Sequence, residues 1–360
     1  MNFKTVLPVA IAGLACAGHT QTKPEPNPPF TLNWTQGKCV GCKITADLGE
    51  IQFISRTEAW AVGCFCPPPG AQGLGDYIAV HTQDAGRTWR EVRQTYAHAG
   101  APAFSFLDAR RGWIAWWSPA GDPKIARTRD GGWHWQGVSR EPLQKVRFFD
   151  DTHGYGAEVT AFLRTDDGGR TWVKSLIPHL GFIDRMSFVT PNLGWIAGTD
   201  GKEVLVFRTT DGGRNWDERH AAAPKELAEV RDLFFLDEIR GWLIAWRLSD
   251  AGTHLLSTTD GGKNWAPVDG LLSQRKGKWA GTVRFVSDKV GFLFEDEDLE
   301  IQGSDRHSLA YTVDGGAHWQ QQSLPYCVYD CRVFGDDLLC SFSVSVRLNH
   351  LYAERAWCFS

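Results

Sequence analysis

The sequence predicts an all-β fold, specifically a seven-bladed β-propeller built from four-stranded blades. An octapeptide of the form T-x-D-x-G-x-x-W occurs six times, and an alternating apolar segment precedes each copy. The composition agrees, since 17 Trp and 38 Gly stand beside only 2 Met. A chain rich in Trp and Gly and poor in long helical patterns is typical of turn-dense β architecture.

The octapeptide recurs at separations of 37 to 54 residues, which is the length of one propeller blade with loop insertions. Its copies begin at Thr82, Thr128, Thr165, Thr209, Thr258 and Thr312. The Asp residues of the six copies are Asp84, Asp130, Asp167, Asp211, Asp260 and Asp314. Each copy therefore marks one repeat of the fold.

A small residue followed by an aromatic one precedes each octapeptide. The pairs are Ala59-Trp60, Gly112-Trp113, Gly154-Tyr155, Gly194-Trp195, Gly241-Trp242 and Gly291-Phe292. In the third repeat the pattern predicts strands over Val146–Phe149, Tyr155–Val159, Ala161–Thr165 and Trp172–Ser175. Four short antiparallel strands per repeat are what a blade requires.

The octapeptide has a mechanical interpretation. An Asp side chain accepts hydrogen bonds from backbone N–H groups of its own turn. Gly tolerates the positive φ of tight hairpins, and Trp supplies a large apolar face that packs between blades. We therefore interpret the six Asp residues as structural rather than catalytic.

This octapeptide is the Asp box, or BNR repeat, and the sequence resembles that propeller superfamily over nearly all of its length after the N-terminal segment. The apolar strand, the Gly-Trp step and T-x-D-G-G-x-x-W look most like the photosystem II stability/assembly factor family. The resemblance implies a seven-bladed propeller that acts as an assembly or scaffold protein, not an enzyme. The arginine patch of that family cannot be placed here residue by residue.

The blade count depends on how the chain ends meet. Six boxes give six blades, and a seventh would use three strands, Asp330–Phe334, Leu338–Val344 and Ser345–Tyr352. Its outer strand would come from Phe30–Trp34, which removes exposed edges. We predict seven blades in a single domain over residues 30–360, closed by N- and C-terminal strands, with six blades as the alternative.

The N-terminus predicts export. Lys4, the apolar run Val6–Ala15 and the small residues around Cys16 fit a signal peptide over residues 1–17. Lipid attachment at Cys16 is the alternative to simple cleavage. Residues 18–29 carry several prolines and read as a linker, and no later stretch is long enough for a transmembrane segment. The expected location is extracytoplasmic, periplasmic or secreted.

Eight further cysteines lie near the two ends: Cys39, Cys42, Cys64, Cys66, Cys327, Cys331, Cys340 and Cys358. In an exported protein an even set favours disulfides, and bridges between the two groups would close the ring. The alternative is a zinc site, because Cys39 and Cys42 have ligand spacing, but a matching second pair is absent from the sequence. We predict disulfides of undetermined connectivity and no metal.

Partner classes follow from charge and from loop residues. A net charge of −4 and a pI near 6.3 give no basic field for nucleic acid, and no Gly-rich phosphate loop or other cofactor motif is present. Trp116 and Trp117 are candidates to stack on a sugar or anchor a peptide, with packing between blades as the alternative. Arg110 and Glu158 complete the candidate binding residues for a protein or glycan partner.

The competing function is glycoside hydrolysis on a sialidase-like propeller. That chemistry needs an arginine triad with a Tyr nucleophile, or two carboxylates about 5–9.5 Å apart. The early F/Y-R-I-P segment of sialidases is absent from the sequence. Arginines occur on or near inner strands at Arg56, Arg110, Arg147, Arg185, Arg231 and Arg284, and an acidic run covers residues 295–298. We interpret this run as a solvated loop or a weak cation site, and we predict no catalytic residue.

Overall fold

A computed structural model describes residues 7–14, 30–40, 48–65, 76–96, 103–116, 124–219, 227–247, 252–268, 278–297, 307–324, 327–334 and 337–343. Every regular element within these ranges is a β-strand, which confirms the all-β class. The chain divides into two compact units. The first comprises Met1–Glu158, Thr165–Val173 and Leu339–Ser360, and the second comprises Val159–Arg164 and Lys174–Leu338.

The strands are numbered along the chain. Those of the first unit are β1 (Leu7–Leu14), β2 (Phe30–Val40), β3 (Leu48–Phe53), β4 (Ala59–Phe65), β5 (Asp76–Thr82), β6 (Thr88–Tyr96), β7 (Ala103–Phe106), β8 (Gly112–Ala115), β9 (Ile125–Thr128), β10 (Gln136–Ser139), β11 (Lys145–Phe148) and β12 (Gly154–Ala157). The division of the chain falls within β13 (Ala161–Thr165), β14 (Val173–Leu176) and β28 (Asp337–Ser343).

Those of the second unit are β15 (Phe182–Phe188), β16 (Gly194–Thr199), β17 (Val204–Thr209), β18 (Asp217–Arg219), β19 (Leu227–Phe235), β20 (Gly241–Arg247), β21 (Gly252–Thr258), β22 (Ala266–Pro267), β23 (Lys278–Phe285), β24 (Gly291–Glu297), β25 (His307–Thr312), β26 (Gln320–Leu324) and β27 (Cys327–Phe334).

Each repeat folds into four consecutive strands. β7–β10, β15–β18, β19–β22 and β23–β26 form four-stranded antiparallel sheets, β11–β14 form the sheet of the third repeat, and β3–β6 supply the first blade. The observed strands β11 to β14 match the four predicted for the third repeat to within two residues. The described residues contain six four-stranded blades. The propeller class is therefore confirmed, and the blade count observed is six, the alternative to the predicted seven.

The segments predicted for a seventh blade take a different arrangement. Residues 330–334 lie in β27, 338–343 in β28 and 30–34 in β2, as expected, but β1 pairs in parallel with both β2 and β28. Residues 345–352 lie outside the described ranges. Closure by chain ends, the single domain over residues 30–360, the signal peptide and the linker remain predictions.

Each Asp box is locked by one threonine and one aspartate. In the first box the Thr82 hydroxyl donates to Asp84 Oδ1 at 2.9 Å and accepts the Gly86 N–H at 3.0 Å. Asp84 also accepts the Thr88 N–H at 2.8 Å and the Thr88 hydroxyl at 2.6 Å. The Thr–Asp bond recurs at 2.8–2.9 Å in all six boxes. Every box is therefore a self-satisfied turn.

Stacked aromatic rings join neighbouring blades. The tryptophan of the second strand lies flat on a phenylalanine from the next repeat, for example Trp195 on Phe235 with ring centroids 3.7 Å apart. The same stack occurs at Trp60–Phe106, Trp113–Phe148 and Trp242–Phe285, at 3.6–3.8 Å. The box tryptophan meets that phenylalanine edge-on, as Trp265 meets Phe235 at 5.9 Å. The predicted packing of aromatic residues between blades is observed.

The glycine that precedes the aromatic residue in the second to sixth repeats is required by close approach. A Cβ on Gly241 would lie 2.5 Å from Phe235 Cε1, inside the contact distance of carbon atoms. The nearest phenylalanine atom lies at 2.3–2.7 Å at the corresponding positions Gly112, Gly154, Gly194 and Gly291. At Gly112, Gly154, Gly241 and Gly291 the glycine admits the phenylalanine that receives the tryptophan stack. The phenylalanine at Gly194 is Phe188, which stacks on Phe162 instead.

Hydrogen bonds from charged side chains join the first strands of successive blades in the second unit. Asp232 Oδ2 accepts the Val283 N–H at 2.9 Å and Arg284 Nη1 at 2.6 Å. Arg284 Nε in turn donates to the Cys331 carbonyl, and Arg185 Nε donates to the Arg231 carbonyl, both at 2.7 Å. Each of these two arginines thus donates to a carbonyl of the strand that follows its own blade along the chain, β19 for Arg185 and β27 for Arg284.

Cys331 and Cys340 are buried and both form disulfides. Of the other predicted cysteines, Cys42, Cys66 and Cys358 lie outside the described ranges, and the side chains of Cys39, Cys64 and Cys327 are not described. Cys16 also lies outside them, so its lipidation remains a prediction. Within the described ranges no helix has the length and apolarity needed to cross a bilayer.

The Asp boxes predict a loss of stability in acid. The backbone N–H and the ring of His134 lower the pKa of Asp130 to about 2, and His318 does the same for Asp314, to about 2. Because both folded-state pKa values lie below the unfolded value near 3.9, this stabilisation is complete above about pH 4 and disappears as the pH falls through about 2. We expect urea midpoints to hold from pH 7 to pH 5 and fall between pH 4 and pH 2.

The matched variant for this test is Asp130→Asn, which removes one titrating box. Its midpoint at pH 7 should be lower than that of the parent chain, and its further decline between pH 4 and pH 2 should be shallower. Parent midpoints that stay constant down to pH 2 would show that the boxes are not held by ionised carboxylates.

Candidate binding cleft

Two turns of each repeat are locked side by side. The turn between the first and second strands meets the box turn through one backbone hydrogen bond, as in Gly131 N–H to Arg110 C=O at 2.9 Å. Equivalent bonds of 2.8–2.9 Å join Ala85–Thr57, Gly168–Thr152, Gly212–Asn192, Gly261–Ile239 and Gly315–Lys289. Side chains from both turns therefore emerge close together at the same end of each blade.

At this end of the first unit the turns of three repeats line an open cleft of about 670 Å³. Its charged walls are formed by Glu58, Asp108, Arg110, Arg111, Arg129 and Asp151. The cleft is the candidate functional site because it gathers charges of both signs on turns that the fold holds rigidly.

Two arginines of this region are braced. Arg111 donates from Nε to Asp108 Oδ2 at 2.7 Å and from Nη1 to Asp151 Oδ2 at 2.9 Å. Arg127 lies behind them, buried, with Nη2 bonded to Asp151 and its guanidinium 4.7 Å from the centre of the Trp113 ring. The carboxylates of Asp108 and Asp151 are therefore already paired with arginines of the protein.

The third carboxylate is also engaged. Glu58 Oε1 lies 2.8 Å from His81 Nε2, and the His81 ring stacks on Trp60 at 4.2 Å. Burial lowers the pKa of His81 despite the opposing effect of Glu58. At Asp108, burial opposes the shift, but the bonds from Arg111 and from backbone N–H groups hold its pKa below the ordinary value.

Two arginines of the cleft are free. Arg110 and Arg129 are exposed, and neither side chain has a hydrogen-bond or ion-pair partner among the described residues. Because Asp108 and Asp151 are already paired with Arg111 and Arg127, the two free arginines supply positive charge that a ligand can use. Guanidinium groups bind carboxylates through paired hydrogen bonds.

Asp108 does not fit the general acid of a glycosidase. A glycosidase needs a carboxyl group whose raised pKa keeps it protonated as the general acid. Asp108 has a lowered pKa and its oxygens accept bonds from Arg111, so it does not meet that requirement. No group of three or more His, Cys, Asp or Glu side chains able to hold a metal is found within the described part of the chain.

The structure places the predicted binding residues at opposite ends of the strands. Arg110 lies at the cleft, whereas Trp116 follows β8 and Glu158 follows β12, so both lie at the strand ends opposite the cleft turns. Trp116 packs against a core cluster that contains Phe104 and Ile114. Trp117 lies outside the described ranges.

The acidic run of the sixth repeat begins inside a blade. Glu295 is buried in β24, where Oε2 accepts bonds from the Ser308 hydroxyl at 2.8 Å and from Gln321 Nε2 at 2.7 Å. The first residue of the acidic run, Glu295, is therefore not part of a solvated loop. Strand β24 continues through the run to Glu297. Residue 298 lies outside the described ranges.

Six Asp-box turns on four-stranded blades define the chain as a BNR-type β-propeller. It resembles the photosystem II assembly factor: the family model described as "Photosynthesis system II assembly factor YCF48" matches residues 179–276. No curated protein matches the sequence.

Solved structures show the same fold at low sequence identity. "YCF48 bound to D1 peptide" has a TM-score of 0.57 at 17% identity, covering 83% of this chain and 89% of that one. YCF48 from Cyanidioschyzon merolae has a TM-score of 0.57 at 17% identity, covering 82% and 92%. A GH74 xyloglucanase from Xanthomonas campestris has a TM-score of 0.51 at 13% identity, covering 79% of this chain and 45% of that one.

Proposed function

We propose that this protein is an exported, non-catalytic propeller that binds a segment of another polypeptide. The observation that carries the proposal is the cleft of the first unit, whose acids are paired internally while Arg110 and Arg129 are free. A rigid surface with unpaired arginines is typical of protein recognition sites.

The comparisons support the partner class. One similar structure is named for its complex with a D1 peptide, and the family model that matches residues 179–276 describes an assembly factor. The N-terminal signal peptide predicted over residues 1–17 supports export. A glycan partner and glycoside hydrolysis are the competing outcomes of the test below.

The test is selection of a random dodecapeptide phage library on the immobilised full chain, beside an assay for hydrolysis of xyloglucan oligosaccharides and sialyllactose. We expect enriched peptides that, once synthesised, bind saturably at one site, and no released sugar. Heat-unfolded protein is the matched control and should retain no phage above background. Released sugar without any peptide enrichment would overturn the proposal in favour of an enzyme.

A further inference from the structure

The second repeat differs from the others at the two surface positions that the locked turns bring together. The turn position whose carbonyl accepts the box N–H holds Thr57, Arg110, Thr152, Asn192, Ile239 and Lys289 in chain order. The second box position holds Gln83, Arg129, Asp166, Thr210, Thr259 and Val313. Of these repeats, the second alone has arginine at both positions.

The fold has no need for this pair. The equivalent positions in the fifth repeat are Ile239 and Thr259, and its turns form the same backbone bond at 2.9 Å. Two exposed like charges on adjacent turns do not stabilise the free protein. The arginine pair therefore adds to the cleft a positive charge that the backbone bond between the turns does not require.

A third difference lies in the same box. The sixth position holds Arg87, Trp133, Arg170, Arg214, Lys263 and Ala317. Arg170 and Arg214 fold back to the carbonyl of their own box aspartate, at 2.9 and 2.7 Å. Trp133 is 66% exposed, so its ring contributes little to the core. An exposed tryptophan in a turn that also carries a free arginine has the composition of a binding hot spot.

We propose that Arg110, Arg129 and Trp133, here called the second-repeat patch, bind an acidic polypeptide segment in which carboxylates flank an apolar side chain. The two arginines receive the carboxylates, and the Trp133 ring covers the apolar side chain. This inference rests on the proposed function and specifies its partner: Arg110 and Arg129 line the cleft, and Trp133 lies in the same box turn as Arg129.

The charges of the cleft favour a peptide over a nucleic acid. A phosphate backbone presents continuous negative charge, and it would meet Glu58, Asp108 and Asp151 as well as the arginines. The net charge of −4 adds to that repulsion. Separate carboxylates on a peptide can reach the two free arginines and leave the paired acids undisturbed.

The test uses fluorescence anisotropy with the full chain and labelled dodecapeptides that carry Glu and Asp around a central Leu or Phe. One control peptide replaces the acids by Gln and Asn, and a second replaces the apolar residue by Gly. Protein variants are Trp133→Ala and the double variant Arg110→Thr/Arg129→Thr. The charge control is Lys263→Thr/Lys289→Thr, which also removes two cations: Lys289 is the equivalent of Arg110 in the sixth repeat, and Lys263 is the equivalent of Trp133 in the fifth.

We expect the acidic peptide to bind, and each patch variant to weaken binding tenfold or more. The charge control should stay within about twofold, and the amide peptide should bind at least tenfold more weakly. Equal binding of the amide peptide, or equal weakening by the charge control, would overturn the inference.

The remaining outcomes separate the two proposals. If library-selected peptides bind both patch variants as tightly as the parent chain, the second-repeat patch is not the binding site and the proposed function still stands. Failure of every peptide to bind the folded chain would overturn both. Tighter, patch-dependent binding of oligo-dT or of a heparin oligosaccharide would reject the peptide as the ligand of the patch.

Discussion

Replacing Trp195 by Ala will lower the free energy of unfolding by about 3–5 kcal/mol, the range for deleting a large buried aromatic side chain. Trp195 is fully buried, stacks on Phe235 at 3.7 Å and donates from Nε1 to the Gly261 carbonyl at 3.0 Å. The substitution removes this aromatic contact between the fourth and fifth blades and leaves that carbonyl without the indole donor. Urea unfolding followed by circular dichroism measures the loss.

Two variants control for this result. Trp195→Phe keeps the stack and loses only the hydrogen bond, so its loss should be smaller. Trp133→Ala deletes an exposed ring and should change stability by about 0.5 kcal/mol or less. A Trp195→Ala loss as small as that of Trp133→Ala would refute the role assigned to the stack.

Replacing Asp232 by Ala will cost about 3–5 kcal/mol, because it removes the carboxylate that pairs with Arg284 in a mostly buried site. The Asp232 and Arg284 side chains are 10% and 16% exposed and lie 2.6 Å apart. The Val283 N–H loses its acceptor at the same time. Thermal and urea unfolding of the variant measure the effect.

The controls separate charge from hydrogen bonding. Asp232→Asn keeps an acceptor for the Val283 N–H and should lose less stability than the alanine variant. Asp217→Ala removes a long ion pair, 3.4 Å, between the exposed Asp217 and Arg219, and should cost no more than about 1 kcal/mol. If all three variants are equally stable, the ties between first strands do not stabilise the second unit.

The blades were predictable because their signals are local. The box Thr and Asp satisfy their own turn, so six octapeptides suffice to place six hairpins. The reason for the Gly–aromatic step was not predictable, since it depends on a phenylalanine earlier in the blade: Gly241 faces Phe235 only after the first two strands pair.

The cleft was only partly predictable. Arg110 was named as a candidate, but its neighbour Arg129 follows 19 positions later and reaches it only through the backbone bond of the two turns. Trp133 was missed. Its signal was present in the sequence, since four of the six boxes carry Arg or Lys at this position and the second box carries Trp. Trp116 and Glu158 were grouped with Arg110 because sequence alone does not show which end of a strand faces the cleft.

Hydrogen–deuterium exchange of the full chain, with and without a library-selected peptide, tests the binding cleft most directly. The peptide should slow exchange in the turn over residues 107–111 and in the box over residues 128–135, with other boxes unchanged. Protection confined to segments outside these two turns would contradict the placement of the binding site.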